Sequence, residues 1–495
     1  MFYTLDWIII GLYCIGIISL ATYVSRKKAG SERSAEDYFL AGRSLPWWAI
    51  GASLIAANIS AEQIIGMSGQ GFVVGMAIAV WELTAAIALI VMAKFFLPLF
   101  LEKKIYTMPQ FLEQRFDKRV SLVLSFFWLT VYIFVNLTAV LWLGSLAINT
   151  LTGMSLVNGM ILLAFLSLAY SLSGGLKAVA MTDIVQVVLL IFGGLAVSYI
   201  ALTKIGDGSI TTGMVQVYQQ MPEKFDMILS PDNPSYNNLP GIWILIGAGV
   251  WIGHFAYWGF NQYITQRALG AKSLKEAQKG VMFAAYLKLL MPLVIVLPGI
   301  CAAILFPVLD KTDQAYPTMM IELLPSGLLG LTFAALIAAI VSSLASMTNS
   351  ISTIFTMDIC RSFSKNKIQQ SSLILIGRSA VVGSMLIALV MAKPILGNSD
   401  QIFQYIQNFT GLFTPGILVI FLVALFWKKA TALSVLVAAI LSVVMSIFIQ
   451  ASFPDFPYIH RMGVVFFPSG MVCYLTSLAQ GYLYQEKAID LKWIN

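Results

Sequence analysis

Apolar runs long enough to cross a lipid bilayer recur along almost the whole chain, and they constrain the fold more than any other feature. A helix of about 18 or more apolar residues spans a hydrocarbon core of roughly 30 Å. Only 11% of the 495 residues are charged, against about 25% in soluble domains. Because backbone groups in lipid must bond within their own segment, we expect an all-α integral membrane protein. The predicted spans are thirteen and cover residues 5–24, 47–72, 76–100, 121–149, 156–173, 179–203, 241–266, 280–306, 326–357, 371–392, 401–427, 430–451 and 460–483.

Residue usage argues against several other classes of protein. The four cysteines form no C-x-x-C pair, and the two histidines, His254 and His460, lie far apart, so neither a disulfide framework nor a His/Cys metal site is expected. The formal net charge of +7 comes from basic residues in short loops, which indicates membrane topology rather than a nucleic-acid partner. The spans contain no nucleophile–base pair, metal ligand set or phosphate loop, which argues against an enzyme.

Lysine and arginine are distributed unevenly between alternate loops. If the N-terminus lies outside, the inside segments carry 23 of the 30 basic residues. Cytoplasmic loops of membrane proteins are enriched in these two residues. The sequence therefore predicts an external N-terminus and a cytoplasmic C-terminus.

A long loop, 204–240, divides most of the spans into two groups and is predicted to be external. The groups 47–203 and 241–427 each hold five spans, and the odd number gives them opposite topology. This arrangement is typical of inverted-repeat transporters. Segment 1–46 would add a helix and a cytoplasmic loop, and segment 428–495 two helices and a cytoplasmic tail.

Polar residues interrupt the first span of each group. Residues 56–63 read A-A-N-I-S-A-E-Q, and residues 247–261 read G-A-G-V-W-I-G-H-F-A-Y-W-G-F-N. Matching broken helices in the two halves of a transporter indicate where substrate and ions bind. We therefore predict a site near the middle of the membrane, formed by these two segments.

Ionisable side chains inside the spans are further candidates, because an isolated charge at the bilayer centre costs at least about 2.5 kcal/mol. They are Glu62, Glu82, Lys94, Asp183, His254 and Lys288. Glu82 and Lys288 have opposite charges and lie mid-span in the two halves, so each would offset the other. Such a pair either belongs to a functional site or holds helices together. Lys94 lies near the inner end of its helix and would extend to the cytoplasmic interface.

Two adjacent serines, Ser342 and Ser343, stand within the small-residue run A-A-L-I-A-A-I-V-S-S-L-A-S-M-T-N-S. Such a run is typical of close helix packing, and a lone serine usually bonds back to its own helix. Next to an unwound helix, two hydroxyls and freed carbonyl groups would instead supply the oxygen cage that Na⁺ needs. Pairing with the broken first helix favours the sodium site.

A third set of candidates is uncharged or aromatic. Its members are Gln63, Tyr257, Asn261 and Gln407, with Met67, Trp81 and Phe403 near them in sequence. Amides and planar rings suit a neutral polyhydroxyl ligand, which makes many hydrogen bonds and presents an apolar ring face. A carboxylate ligand would favour an Arg, and no Arg falls in the core of a predicted span. Any one of these aromatic residues alone is more typical of core or interfacial packing.

Six strings of the sequence match a known family. They are S-L-I-A-A-N-I-S-A-E-Q-I-I-G-M-S-G, Y-I-F-V-N-L-T, S-G-G-L-K-A-V-A-M-T-D-I-V-Q-V, Y-W-G-F-N-Q-Y-I-T-Q-R, A-A-I-V-S-S-L-A-S-M-T-N-S-I-S-T-I-F-T-M-D and F-Q-Y-I-Q-N-F-T-G-L-F-T-P-G-I. The chain resembles the sodium/solute symporter family from about residue 30 to 430, most closely its sodium/sugar branch with the bacterial sodium/galactose symporters. The resemblance implies a LeuT-like core of five plus five inverted helices in a bacterial inner membrane. It implies alternating access, Na⁺ as the coupling ion and no cofactor.

The resemblance also implies roles for individual residues. Sodium would bind the backbone carbonyls of Ala56, Ile59 and Ala339 and the hydroxyls of Ser342 and Ser343, and Asp183 would assist its exit to the cytoplasm. The sugar would be held by Gln63, Glu82, Lys288 and Gln407, with Asn58 close by. Tyr257 would stack on the sugar as the inner gate, supported by Asn261, and the outer side would be closed by Met67, Trp81 and Phe403.

Three positions depart from the pattern of the bacterial sodium/galactose symporters. His254 replaces an Asn, Ala85 replaces a sugar-contacting Ser, and Trp81 replaces an outer-gate Tyr. Buried polar sites discriminate strongly on such hydrogen bonds, so His254 belongs among the expected sugar contacts. The expected function is sodium-coupled import of a monosaccharide, galactose or glucose. The alternatives are another solute, such as a different hexose, myo-inositol or a sugar acid, and a sugar sensor or channel on the same scaffold.

Overall fold

The computed structural model describes residues 2–25, 35–364 and 369–483, and this part of the chain is predominantly helical. Eight of the described helices, or eleven if each bent pair is one span, are long and apolar enough to cross a membrane. The short apolar helix Leu156–Ser171 and the interrupted stretch from Trp243 to Leu269 bring the spans to the thirteen predicted. The predicted cytoplasmic tail lies outside the described residues, as do residues 26–34 of the predicted loop that ends at residue 46.

The helices of the membrane domain are labelled here in chain order. They are α1 (Thr4–Ser25), α2 (Trp47–Asn58), α3 (Glu62–Val73), α4 (Met76–Glu102), α5 (Lys118–Thr152), α6 (Leu156–Ser171), α7 (Leu176–Ile205), α8 (Gly249–His254), α9 (Gln262–Leu269), α10 (Leu274–Lys288), α11 (Pro292–Leu305), α12 (Leu328–Phe363), α13 (Gln370–Leu396), α14 (Ile402–Thr410), α15 (Thr414–Phe426), α16 (Ala432–Ser452) and α17 (Tyr458–Leu483).

The predicted break in the first repeat is present between α2 and α3, which meet at a bend of 58°. The N–H of Ser60 donates to the carbonyl of Asn58 (2.9 Å) rather than to that of Ala56 one turn earlier. The N–H of Gln63 donates to the carbonyl of Ser60 (3.1 Å) rather than to that of Ile59. The carbonyls of Ala56 and Ile59 therefore lose their regular helical partners, as a cation site on an unwound helix requires.

The second predicted interruption is also present, between α8 and α9. Helix α8 runs on through a π turn to Gly259, and the chain is extended at Asn261. The Asn261 side chain then caps α9 by accepting a hydrogen bond from the Tyr263 N–H (3.2 Å). The first helix of each predicted repeat is thus broken within the membrane.

Two further bends were not expected from the sequence. Helices α10 and α11 meet at 41°, and α14 and α15 at 49°. Pro292 and Pro415 stand in the first turn of the second member of each pair. Proline has no N–H and its ring clashes with the preceding turn, so it is favoured where a helix restarts and disfavoured inside one.

Two spans were predicted between residues 156 and 205, and the backbone is helical throughout Leu156–Ile205, including the connection between them. The hydroxyls of Tyr170 and Thr182 are nevertheless hydrogen-bonded to each other. In a straight helix, residues twelve apart would be about 18 Å from one another. The chain therefore folds back between α6 and α7, and the two spans run side by side.

Helix α12 lies at the centre of the bundle, with 72% of its apolar window buried, whereas the corresponding window of α1 is 0% buried. Asp6 of α1 accepts hydrogen bonds from the N–H groups of Gly327 (2.7 Å) and Gly330 (2.9 Å) at the start of α12. A carboxylate there also complements the helix dipole. The extra first helix is thus attached to the central helix by a cap.

Candidate functional site

A cavity between the two broken spans is lined by nearly all of the predicted sugar and gate residues. They are Asn58, Gln63, Trp81, Glu82, His254, Tyr257, Asn261, Lys288, Phe403 and Gln407. These side chains come from both predicted repeats, so the fold brings together residues that are distant in sequence. Met67 is fully buried but does not line the cavity.

Glu82 and Lys288 form a buried ion pair in the cavity wall. Lys288 Nζ lies 2.7 Å from Glu82 Oε2, and the two side chains are 1% and 2% exposed, respectively. The same ammonium donates to Asn58 Oδ1 and lies 5.3 Å from the centre of the Trp258 ring. The pair therefore both ties α2, α4 and α10 together and faces the cavity.

Tyr257 is connected to this pair through Asn58. Its hydroxyl accepts a hydrogen bond from Asn58 Nδ2 (3.1 Å) and is bonded to the Tyr263 hydroxyl (2.6 Å). Asn261, which was expected to support Tyr257, accepts a hydrogen bond at Oδ1 from the Tyr132 hydroxyl (2.6 Å) while it caps α9. Asn261 therefore supports the tyrosine only through the position of α9.

Several polar atoms in the cavity wall have no protein partner among the described residues, although they are buried. They are Gln63 Oε1, Trp81 Nε1, Trp128 Nε1 and Tyr458 Oη. An unsatisfied buried polar group costs about 1–3 kcal/mol. This mixture of donors and acceptors complements a neutral ligand that carries several hydroxyls.

The sequence reasoning missed some cavity residues. Asn136 of α5 is buried and donates weakly to Glu62 Oε1 (3.5 Å). A polar residue in the apolar string Y-I-F-V-N-L-T was a signal that could have identified it. Tyr458 and Met462 of α17 also line the cavity. No sequence pattern indicated them, because α17 lies outside the predicted repeats and its contact depends on tertiary packing.

The predicted sodium residues lie where the α2 break meets α12. The Ser343 hydroxyl donates to the freed carbonyl of Ala56 over 3.4 Å. Ala339 is buried one turn before Ser343 on the same helix, and Ile59 is buried at the break. The Ser342 hydroxyl donates to Asp183 Oδ1. The Ser343 hydroxyl and the freed Ala56 carbonyl are therefore in contact, and oxygens of these two types suit a hard monovalent cation.

Asp183 is held by polar groups from three other helices, and one of them corrects the sequence analysis. Arg267, at the end of α9, is 1% exposed, and its Nη2 lies 3.7 Å from Asp183 Oδ2. Arg267 Nε also donates to the Ser53 hydroxyl (2.7 Å). Arg267 was predicted to lie in the loop that follows the span ending at residue 266, and it is buried among the helices instead. Since Arg267 does not line the central cavity, the cavity itself still offers no guanidinium to a carboxylate.

Helix α14, which carries Phe403 and Gln407, is held at its first residue by the segment before helix Ala315–Leu323. Asp313 Oδ2 accepts a hydrogen bond from the Ile402 N–H (3.0 Å), and its Oδ1 is buried without a partner. Burial, reinforced by nearby Asp400, raises the pKa of Asp313 to about 7, against the opposing effect of the Ile402 N–H. Near neutral pH this carboxyl therefore exchanges a proton.

Asp313→Asn is expected to make stability less dependent on pH. The pKa of Asp313 is about 7 in the folded protein against an ordinary value of 3.8, so between these values the folded state binds more protons than the unfolded state. Native Asp313 must therefore lower stability as pH rises from about 4 to about 7, by at most a few kcal/mol. Asn keeps an oxygen for Ile402 and carries no charge. Thermal unfolding at pH 5 and pH 8 measures the difference, with exposed Asp232→Asn as control, and an equal pH response in Asp313→Asn and the native protein would contradict the assignment.

Comparison with known proteins identifies the family. The Sodium:solute symporter family model matches residues 38–433. A "Sodium/glucose cotransporter" of Vibrio parahaemolyticus is 47% identical over 96% of this chain and 90% of that protein. The "Uncharacterized symporter YidK" of Escherichia coli (strain K12) is 34% identical over 93% of this chain and 83% of that protein.

Solved structures share the fold at lower identity. A Na⁺-coupled sialic acid symporter, in a substrate-bound outward-open state, superposes with a TM-score of 0.83 at 22% identity, over 97% of this chain and 98% of that one. MHP1, a nucleobase-cation-symport-1 family transporter, gives a TM-score of 0.58 at 14% identity, over 91% and 97% of the two chains. The predicted LeuT-like membrane fold is confirmed. Since the family model covers most of the chain and a curated relative is 47% identical, this protein belongs to the sodium:solute symporter family, with Na⁺ as the coupling ion.

Proposed function

We propose that this protein imports a neutral monosaccharide, glucose or galactose first among the candidates, together with Na⁺. The observation that carries the proposal is the central cavity, in which amides, rings, a paired charge and the unpartnered atoms of Gln63, Trp81 and Tyr458 face one space. A hydroxyl-rich solute would supply the missing hydrogen-bond partners. The 47% identity to a protein named sodium/glucose cotransporter supports the same conclusion. Sodium-driven accumulation of a labelled sugar in proteoliposomes tests it.

Sodium and sugar would be coupled through the break between α2 and α3. The ion would bind the carbonyls of the break and the hydroxyls of α12, and Asp183 would receive it on the way to the cytoplasm. Occupation of that site would fix the start of α3, which carries Gln63, and so raise the affinity for sugar. By linkage, sugar must then raise the affinity for sodium by the same factor.

The gates would lie on opposite sides of this solute. Trp81 and Phe403 pack edge-on with ring centres 6.4 Å apart and would cover the outer side, with Met67 buried behind them. Tyr257, held by Asn58 and Tyr263, would lie beneath the sugar ring. Opening toward the cytoplasm would require the Tyr257 hydroxyl to exchange those hydrogen bonds.

The topology belongs to the same proposal. Segments 47–203 and 241–427 would form the two inverted repeats, with an external N-terminus and a cytoplasmic C-terminus in a bacterial inner membrane. The loop 204–240 would then lie outside. Lys224 of this loop donates to the carbonyls of Phe72 (2.9 Å) and Val73 at the end of α3, so the loop contacts that end of the first broken span.

A second candidate solute is myo-inositol, which is also a neutral ring of hydroxyls. A human protein named "Sodium/myo-inositol cotransporter 2" is 30% identical over 86% of this chain. Competition of unlabelled glucose, galactose, myo-inositol and a sugar acid against sodium-dependent uptake would rank these solutes. Strongest competition by the sugar acid would contradict the proposed neutral substrate.

Gln407→Ala is expected to raise the KM for sugar about fivefold to tenfold. Gln407 lines the cavity from α14, and one neutral hydrogen bond contributes about 1 kcal/mol. Initial rates of sodium-driven uptake measure the effect. Gln404→Ala is the matched control, since Gln404 stands one turn away on α14 and does not line this cavity. An unchanged KM in Gln407→Ala would remove this residue from the binding site.

A further inference from the structure

We infer that Thr84 is a positioning residue that turns His254 into a hydrogen-bond acceptor for the solute, and so makes the site require a hydroxyl donor there. The inference rests on the proposed function and concerns how the same cavity selects its solute. It depends on which atoms hold the hydrogens shared by the Thr84 hydroxyl, the His254 imidazole and the Val80 carbonyl.

Thr84 and His254 face each other from α4 and α8. Thr84 Oγ1 lies 2.7 Å from His254 Nε2, and the two residues are 7% and 5% exposed. The Thr84 hydroxyl also donates to the carbonyl of Val80, one turn earlier in α4. A hydroxyl has a single hydrogen, and a carbonyl can only accept. With that hydrogen directed to Val80, Thr84 must accept from the imidazole, and the hydrogen of the ring lies on Nε2.

The imidazole is neutral in this environment. No described carboxylate is bonded to it, and the ammonium of Lys288, which lines the same cavity, is already paired with Glu82. A second buried cation without a partner would be costly. With its one hydrogen on Nε2, the neutral ring keeps Nδ1 as a pure acceptor.

The acceptor is available to a ligand. The one hydrogen bond of the His254 ring among the described residues is made by Nε2, so Nδ1 is left without a protein partner there, and His254 lines the cavity. Trp81 packs edge-on against the imidazole with ring centres 5.3 Å apart, which restricts rotation of the ring. Ala85, the residue after Thr84, has no hydroxyl of its own to offer at this wall.

This arrangement has a chemical consequence for selectivity. A solute hydroxyl can donate to Nδ1, whereas a fluorine or a hydrogen at the same carbon cannot. An Asn at this position would offer N–H donors as well as an acceptor, so it would tolerate a fluorine better. The ligand class is therefore a neutral monosaccharide with a free hydroxyl on the face that meets α4 and α8.

The experiment measures sodium-driven uptake by the full chain in proteoliposomes, using a transported monosaccharide and its monofluoro-deoxy analogues, each lacking one hydroxyl. In the native protein, one analogue should lose about tenfold or more in kcat/KM, because it leaves Nδ1 unpaired. That penalty should fall several-fold in His254→Asn. It should also fall in Thr84→Val, which frees the ring to carry its hydrogen on Nδ1. Thr84→Ser, which keeps the hydroxyl, should retain the full penalty.

Thr138→Val is the matched control. Thr138 is also buried, and its hydroxyl donates to the carbonyls of Phe134 (2.7 Å) and Val135 (2.8 Å) in α5, away from the cavity. This variant should keep the native penalty. Equal penalties in Thr84→Val, His254→Asn and Thr138→Val would overturn the inference while leaving sugar transport intact. Failure to transport any monosaccharide would overturn the proposed function and this inference with it.

Discussion

Ser343→Ala is expected to abolish sodium-stimulated uptake and leave the protein folded. The Ser343 hydroxyl lies 3.4 Å from the Ala56 carbonyl, which has lost its helical partner at the α2 break. This hydroxyl is one of the oxygen ligands of the proposed sodium site, and none of those ligands carries a full charge. Without it, the remaining dipoles cannot replace the hydration shell of Na⁺. Uptake with and without an inward sodium gradient measures the loss, and thermal unfolding confirms the fold.

Ser352→Ala is the control for this result. Ser352 is buried on the same helix, α12, and its hydroxyl has no partner among the described residues. Its removal should leave both sodium dependence and stability near the native values. Unchanged sodium dependence in Ser343→Ala would remove the sodium site from this place.

Lys288→Met is expected to destabilise the protein by about 3–5 kcal/mol and to stop uptake. The change leaves Glu82 buried without its partner and removes the donor to Asn58. An uncompensated buried charge is strongly destabilising, whereas removing both members of such a pair is often nearly neutral. The double variant Glu82→Gln with Lys288→Met should therefore recover most of the stability without recovering uptake. Thermal unfolding and sugar uptake are measured on the same preparations.

The double variant separates the two interpretations that the sequence left open. If the pair only holds helices together, restored stability should bring uptake back. If the pair binds the solute, uptake should stay absent in a stable protein. Lys94→Met serves as control, since Lys94 is exposed near the inner end of α4.

The broken helices and most of the cavity residues followed from the sequence. A membrane helix rarely carries Asn, Ser, Glu and Gln within eight residues unless it is interrupted or faces a polar site. The structure places the break at Asn58 and brings Gln63, Glu82 and Lys288 around one cavity. Local composition was sufficient here because an unsatisfied polar group in lipid is costly.

Other features depended on tertiary contacts that no local pattern encodes. Arg267 was assigned to a loop because basic residues at the end of a span normally reach the interface. It is buried instead, since Asp183 and Ser53 on neighbouring helices satisfy it. The hydrogen bond from the Tyr132 hydroxyl of α5 to Asn261 was likewise not visible in the sequence.

Residues of α17 illustrate the same limit. Tyr458 contributes an unpartnered hydroxyl to the cavity, although its helix belongs to neither predicted repeat. The equal number of spans and the matching interruptions in the two repeats indicate where the two broken helices meet. They carry no information about a helix that packs against the repeats from outside. The bends beside Pro292 and Pro415 were signalled by the prolines themselves and were overlooked in long apolar runs.

The central claim is that inward movement of Na⁺ drives inward movement of a neutral sugar. The most direct measurement is the internal concentration of labelled glucose or galactose in proteoliposomes that contain the full chain, with an inward sodium gradient and a potential negative inside. Each charge that crosses 100 mV contributes about 2.3 kcal/mol. The account predicts accumulation above the external concentration, lost when the gradient and potential are dissipated. Sugar that only equilibrates at the same rate with or without sodium, as through a channel, would contradict it.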